Sequence, residues 1–447
     1  MTGVVAGIAA DADNPSQVAR NEFTDTDRAS FSVRVFYCMQ AGACFVTIRL
    51  MTSSIHPELQ EPLRRAPVMR LTHGNLWFWR ALVNLSPAAK PPADVLLEDR
   101  FLPSPEKDRK IRIRTYQPRS AVSLVPGLLW LHGGGLVMGR PEIDDALCCR
   151  FAREAGIVVV SVQYRYAPRY PFPAGLEDAY TALQWMHTQG RQIRIDPNRL
   201  GVGGNSAGGG LAAALAQMAH DRGKIPLKTQ HLVYPMLDDR SAIDESLPAE
   251  SPVWNRTNNR VGWEAYLGQP CGTDNLPPYA VPARRTDLTG LPPAFIGVGT
   301  LDLFLAEDTD YARGLQAHGV SCDLHIIPGA YHGFDALARD AQVTQDFIGA
   351  QVDALKKNLF AGKRIFTAVD MIPGRSYRVV RAFHDFDRSL HDAGESWVYI
   401  NKNFLPYDDG LSLFVEQHGA QRMFRMQWRD EEQSEIIDNF SDYVEED

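Results

Sequence analysis

One ten-residue stretch constrains this chain more than any other: "GVGGNSAGGG", residues 201 to 210, in which a single serine stands among six glycines. Glycine at that density costs backbone entropy, so it must answer a steric demand that a residue with a Cβ cannot meet. Upstream, the run from Arg199-Leu200 reads as a buried strand; downstream, Leu211-Ala212-Ala213-Ala214-Leu215 reads as a buried helix. Ser206 therefore sits at a tight strand-to-helix turn. Such turns belong to α/β architectures, in which helices pack on a parallel sheet.

The surrounding pattern agrees. "GLLWLHGGG" and "GIVVVSVQYR" are continuous apolar runs, as expected of strands covered on both faces, while "VLLEDRFL" and "IRIRTY" are shorter or alternating. A helical segment from Leu176 to His187 precedes the strand into Ser206, and a helix follows it. The alternation continues through "HLVYPM", "AFIGVGTLD", the helical "DTDYARGLQAHG" and "CDLHIIPGAYHGF". This predicts an α/β fold with a mostly parallel, doubly wound sheet over residues 51–360. From Ile365 the period changes to two in "YRVVRAF", "ESWVYI", "GLSLFVEQ" and "RMFRMQW", which predicts a small β-rich appendage over 364–447. It closes in an expected helix with Ile436, Ile437, Phe440 and Tyr443 on one face. Residues 1–50 show no sustained period, and Met51 with "TSSIHPELQEPL" reads as a more natural start, so 1–50 is expected to be a poorly ordered leader.

The net charge of −8 argues against a nucleic-acid partner, which needs a basic face. From Arg364 to Asp447 there are nine basic and seventeen acidic residues, so this stretch carries the whole imbalance. The run Val35 to Ile48 spans 14 residues and includes Gln40, too short for the roughly 20 that a membrane-spanning helix needs, and no stable membrane insertion is expected. Cys38, Cys44, Cys148, Cys149, Cys271 and Cys322 lack CxxC spacing, which indicates neither a disulfide framework nor a metal site. A reduced, cytoplasmic setting follows as the default.

Gly204 and Gly208 bracket Ser206 as G-x-S-x-G, the pattern that pushes a serine Oγ out at the carboxyl edge of a sheet. A second glycine cluster, His132-Gly133-Gly134-Gly135, ends another predicted strand; the N–H groups of Gly133 and Gly134, with that of Ala207, form a candidate oxyanion hole. A serine nucleophile needs a histidine base oriented by an acid. His332 follows the strand "LHIIP" and Asp302 follows "AFIGVG", so both leave carboxyl strand ends; Glu307 and Asp308 compete with Asp302 for the acid. The order serine, aspartate, histidine is that of the α/β-hydrolase arrangement.

HGGG about 70 residues before G-x-S-A-G-G, then "YRYAPRYPFPAGLEDAYTALQWM", "YPMLDDR", Asp302 and "PGAYHGFD", resemble the hormone-sensitive lipase family of α/β-hydrolases, its bacterial esterases in particular, over Ile55 to Leu359. The resemblance implies an α/β-hydrolase fold and a serine esterase using Ser206, Asp302 and His332 on a small-molecule ester, without metal or cofactor. It also implies a helical cap, placed at about 55–90 and 245–270, with Trp77, Trp254 and Trp263 as candidate pocket residues, and a homodimer. Tyr164, Arg165 and Pro168 are expected to brace the oxyanion loop. Two positions depart from the family pattern: Asn205 stands where an acid is usual, which bears on the pH optimum, and "LFLAED" after Asp302 lacks the commoner proline. Amide or lactone hydrolysis on the same triad, or a non-catalytic small-molecule receptor, are the alternatives. "GESWVYINKNFLPYDDGLSLFV" resembles a bacterial domain family of unknown function. Binding of an unknown protein, oligomerisation and simple packing are the readings open to it.

Overall fold

The computed structural model describes residues 34–40, 43–49, 55–85, 90–106, 108–121, 124–360, 367–405, 410–429, 433, 436–437 and 440–446. Within the unit Met1–Ser54, strands Arg34–Gln40 (β1) and Ala43–Arg49 (β2) pair antiparallel, with Arg34 opposite Arg49 and Gln40 opposite Ala43. The apolar run read as lacking a period is thus a strand pair; the rest of the expected leader lies outside the described residues.

From Ile55, helices Pro57–Arg65 (α1) and Leu76–Leu85 (α2) precede strands Val95–Pro103 (β3), Lys110–Pro118 (β4) and Val125–Leu131 (β5). Helix Asp145–Ala155 (α3) leads to Val158–Val162 (β6), and Ala174–Gln189 (α4) to Ile195–Asn205 (β7). Ala207–Arg222 (α5), Leu227–Val233 (β8), Arg256–Leu267 (α6), Ala294–Gly299 (β9), Leu305–Ala317 (α7), Cys322–Ile327 (β10), the short Phe334–Leu337 (α8) and Gln342–Leu359 (α9) complete this part.

The eight strands order β10-β9-β8-β7-β5-β6-β4-β3. From β6 to β10 neighbours run parallel, and β4 alone is reversed, pairing antiparallel with both β6 and the edge strand β3. Alternate residues feed two cores, which is why the central strands read as unbroken apolar runs. Leu129 and Leu131 of β5 join the core that includes α4, α5 and α7, while Leu128 and Trp130 join the one that includes α3 and α9. Helix α5 is buried from Ala207 to Ala219, so its alanine- and glycine-rich sequence matches a helix with no solvent face over that length. Cys148, Cys149, Cys271 and Cys322 are buried free thiols. No helix among the described residues is long and apolar enough to cross a membrane.

The strand order turns outward from β5, toward β6 on one side and β7 on the other. In such sheets functional groups gather beyond the carboxyl ends beside that turning point. The segments after β5, β7, β9 and β10 carry Gly133, Ser206, Asp302 and His332 respectively. The two expected cap pieces meet each other: Asn258 of α6 accepts from the Leu71 N–H at 2.8 Å and donates to Met69 O at 2.9 Å.

The C-terminal part holds Ser376–Val379 (β11), the two-residue strands Phe383–His384 (β12) and Leu390–His391 (β13), Ser396–Leu405 (β14), Gly410–Gln417 (β15), Ala420–Gln427 (β16) and Val444–Glu446 (β17). Five of these form an antiparallel sheet ordered β16-β15-β14-β11-β17 over a core of its own that includes Trp397, Tyr399 and Phe440. Where a closing helix is expected, Ile436 and Ile437 are helical, with Ile437 N–H donating to Gln433 O at 3.0 Å; a helical turn at Phe440–Asp442 and then β17 follow, and the residues between lie outside the described ones. There Val444–Glu446 pairs with the open side of β11.

Candidate active site

The glycines around Ser206 are explained by how closely the chain approaches itself. A Cβ on Gly208 would lie 1.9 Å from Leu131 O, and one on Gly204 would lie 2.4 Å from the same carbonyl. The first turn of α5 therefore leans directly on the end of β5, which puts the loop His132–Gly135 beside the serine. Ser206 itself has φ 54° and ψ −122°, outside the favoured regions for an L-residue, a strain on the order of 1–3 kcal/mol. Bonds on both sides hold it: Ser206 N–H donates to Val233 O at 2.9 Å, and Ser206 O accepts from Met236 N–H at 2.9 Å.

Three side chains meet at this rim. His332 Nε2 is 2.9 Å from Ser206 Oγ, and His332 Nδ1 is 2.8 Å from Asp302 Oδ2. Asp302 Oδ1 also accepts the Phe304 N–H at 3.0 Å, which fixes the carboxylate's orientation. All three residues are buried. The imidazole is packed by Tyr234 (ring centroids 4.7 Å apart), Phe304 (5.2 Å) and Trp254 (6.3 Å). Its loop is tied to α1, where His56 N–H donates to Gly329 O and Tyr331 OH donates to Leu59 O.

The competing acids lie elsewhere. Glu307 Oε1 accepts the Leu237 and Asp238 N–H groups at 2.7 and 3.2 Å, and Asp308 has no hydrogen-bond partner among the described residues. Burial pushes both carboxyls well above the usual range. Neither is hydrogen-bonded to His332 among the described residues.

Facing Ser206 is the loop His132–Gly135. Gly134 has φ +129°, and a Cβ there would fall 2.1 Å from Met138 O, so only glycine fits. Burial brings His132 down to about 4, hence neutral, with Nδ1 2.9 Å from Gly133 O. Tyr164 OH donates to His132 O at 2.7 Å and its ring stacks on the imidazole at 4.3 Å, bracing the loop from below. Among the described residues, the N–H groups of Gly133, Gly134 and Ala207 donate to no acceptor. That of Ala207 opens α5, where the helix dipole favours negative charge.

The three tryptophans fare differently. Trp254 lies over the loop His132–Gly135: a Cβ on Gly135 would come within 2.2 Å of its indole. Trp263 is buried in the core with its ring against Tyr266, and no contact with Ser206, Asp302 or His332 is seen among the described residues. Trp77 is 70 % exposed, and no contact between it and Ser206, Asp302 or His332 is seen among the described residues. On the same helix, the Arg80 guanidinium donates to Val137 O at 2.8 Å and Ala167 O at 2.6 Å. With Arg80 and buried Leu76 setting the inner face of α2, Trp77 is turned to solvent.

Sequence reasoning passed over Asp144, whose buried carboxylate contacts Asn205 next to the serine, and Tyr234 and Phe304, which pack the imidazole. The only signal was position: Tyr234 and Phe304 follow the carboxyl ends of β8 and β9.

A family profile described as the α/β hydrolase fold matches residues 128–336, and one for a domain of unknown function matches 346–446, starting inside α9. The carboxylesterase NlhH of Mycobacterium tuberculosis is 35 % identical over 257 residues, covering 56 % of this chain and 79 % of that protein. The chain belongs to the α/β-hydrolase family. Within that family, in its hormone-sensitive-lipase-like group, the ethyl acetate hydrolase of Pseudomonas putida is 31 % identical over 258 residues, 55 % of this hydrolase and 78 % of its own length. Among solved structures, a bacterial heroin esterase superposes with a TM-score of 0.64 at 36 % identity, covering 68 % of this hydrolase and 98 % of that chain.

Proposed function

We propose that this hydrolase is a serine carboxylesterase acting on short- to medium-chain carboxylic esters through an acyl-enzyme. One observation carries the reading: two hydrogen bonds in line, Ser206 Oγ to His332 Nε2 at 2.9 Å and His332 Nδ1 to Asp302 Oδ2 at 2.8 Å. In this reading His332 removes the Ser206 hydroxyl proton as Oγ attacks the ester carbonyl carbon. The carbonyl oxygen becomes an oxyanion and receives the N–H groups of Gly133, Gly134 and Ala207. The tetrahedral intermediate then expels the alkoxide, to which His332 returns the proton. Water, deprotonated by the same imidazole, attacks the acyl-enzyme, and the acid leaves as Oγ regains its proton. Asp302 keeps the ring in the tautomer with its proton on Nδ1 and offsets the imidazolium charge.

The names of the relatives, a carboxylesterase and an ethyl acetate hydrolase, support ester hydrolysis. The chain-length preference is supported by Trp254, which is buried against Gly135 beside the imidazole. A series of p-nitrophenyl esters tests the proposal. We expect the highest kcat/KM between acetate and octanoate and a steep fall by palmitate. No hydrolysis anywhere in the series would favour a receptor, and cleavage restricted to anilides an amidase.

A further inference from the structure

Asp144 ends the helical turn before α3, yet its side chain does not cap that helix. Its carboxylate instead accepts from two neutral donors, Trp130 Nε1–H on Oδ2 at 2.8 Å and Asn205 Nδ2–H on Oδ1 at 3.1 Å. Trp130 lies on β5, two residues before His132, where the oxyanion loop begins; Asn205 is the last residue of β7 and immediately precedes Ser206. One buried carboxylate thus ties the strand end carrying the oxyanion loop to the strand end carrying the serine. The other end of the Asn205 amide faces the loop. Its Oδ1 is buried without a partner and lies 3.2 Å from where a Cβ on Gly133 would be.

Resting on the esterase reading above, we infer that Asp144 is a positioning residue: its ionised carboxylate holds elbow and oxyanion loop in register through Asn205 and Trp130, and protonation releases that hold. The chemistry follows from donor and acceptor counts. An ionised carboxylate accepts from both N–H groups. Protonation on the oxygen facing Asn205 weakens that oxygen as an acceptor and adds an O–H, which the unpartnered Asn205 Oδ1 accepts when the amide turns. Nδ2 then points at Gly133, and the link to the loop is changed at the place where the oxyanion would form.

The neighbourhood makes that proton available near neutrality. No ion pair to Asp144 occurs among the described residues. Asp145 is engaged by Arg114 and Tyr116, and Asp335 accepts from Tyr234 OH; both carboxyls repel a charge on Asp144. Cys148 of α3, Tyr164 and Tyr234 also face it, and burial keeps all three protonated. Burial above all, with repulsion from Asp335 and Asp145, pushes the Asp144 carboxyl up to about 7. An acid raised in the folded state lowers stability as pH climbs from the ordinary carboxylate range through that value. The carboxylate therefore destabilises the fold where it is charged.

Asp144→Asn tests the inference, because the new amide can accept from Trp130 and donate to Asn205 Oδ1, mimicking the protonated carboxyl at every pH. At about pH 8 we expect kcat to fall roughly tenfold with KM within about twofold, as for loss of a hydrogen bond to a charged group. At about pH 5.5 the variant and wild type should converge. Tm should move the opposite way, rising in the variant at pH 8 and converging at pH 5.5. A kcat ratio near one throughout, or a loss equal at both pH values, overturns the inference. Should Asp144→Asn fail to fold, Asn205→Ala decides. Loss of activity confined to high pH supports the link, and a wild-type pH profile overturns it. A wild type inert toward every ester would bring down the esterase reading and this inference with it, whereas an active wild type with unaffected variants overturns this inference alone.

Discussion

Ser206→Ala is expected to lower kcat on a soluble p-nitrophenyl ester by about 10⁶-fold, to the residual rate that binding and the proposed oxyanion N–H groups sustain without a nucleophile. The structure makes this substitution informative because little else changes. Alanine keeps the Cβ, so the strained φ of 54° and the bonds to Val233 O and Met236 N–H are preserved. Thermal unfolding should stay close to wild type while turnover disappears. Retained hydrolysis in a folded Ser206→Ala protein would point to another nucleophile or to directly activated water.

Asp302→Asn is expected to have the second largest effect, about 10⁴-fold in kcat. Asp302 Oδ2 accepts from His332 Nδ1, while Oδ1 is committed to the Phe304 N–H. With Oδ1 fixed as an acceptor, an asparagine must present its NH₂ to the ring. That favours the tautomer with the proton on Nε2, which cannot take one from Ser206. Steady-state kinetics beside a melting curve checks this: kcat collapses while Tm holds. A loss under tenfold would mean that the ring is oriented by its aromatic neighbours Tyr234 and Phe304 instead.

Much of this arrangement was legible because it depends on local rules applied several times. Parallel strands all point the same way, so residues that follow β7, β9 and β10 reach one rim without knowledge of their contacts. The glycines at 204 and 208 signalled a close approach, although the partner, Leu131 O, lies in a strand more than seventy residues away. What stayed hidden depends on single long-range contacts. The outward turn of Trp77 is set by Arg80 reaching Val137 O and Ala167 O. Asp144 gains its meaning only from Trp130 and Asn205, and its neighbour Asp145, identical in type, turns instead to Arg114 and Tyr116. At the end of the chain, Ile437, Phe440 and Tyr443, read as one face of a helix, join the core under the antiparallel sheet, a destination that periodicity alone does not specify.

The most direct test of the central claim is covalent labelling of the native protein with a fluorophosphonate, followed by tryptic mapping. A nucleophilic Ser206 predicts one adduct, on the peptide from Leu200 to Arg222, with loss of esterase activity in step with labelling and no adduct in Ser206→Ala. An active enzyme that takes up no label, or that carries it on another residue, would contradict it.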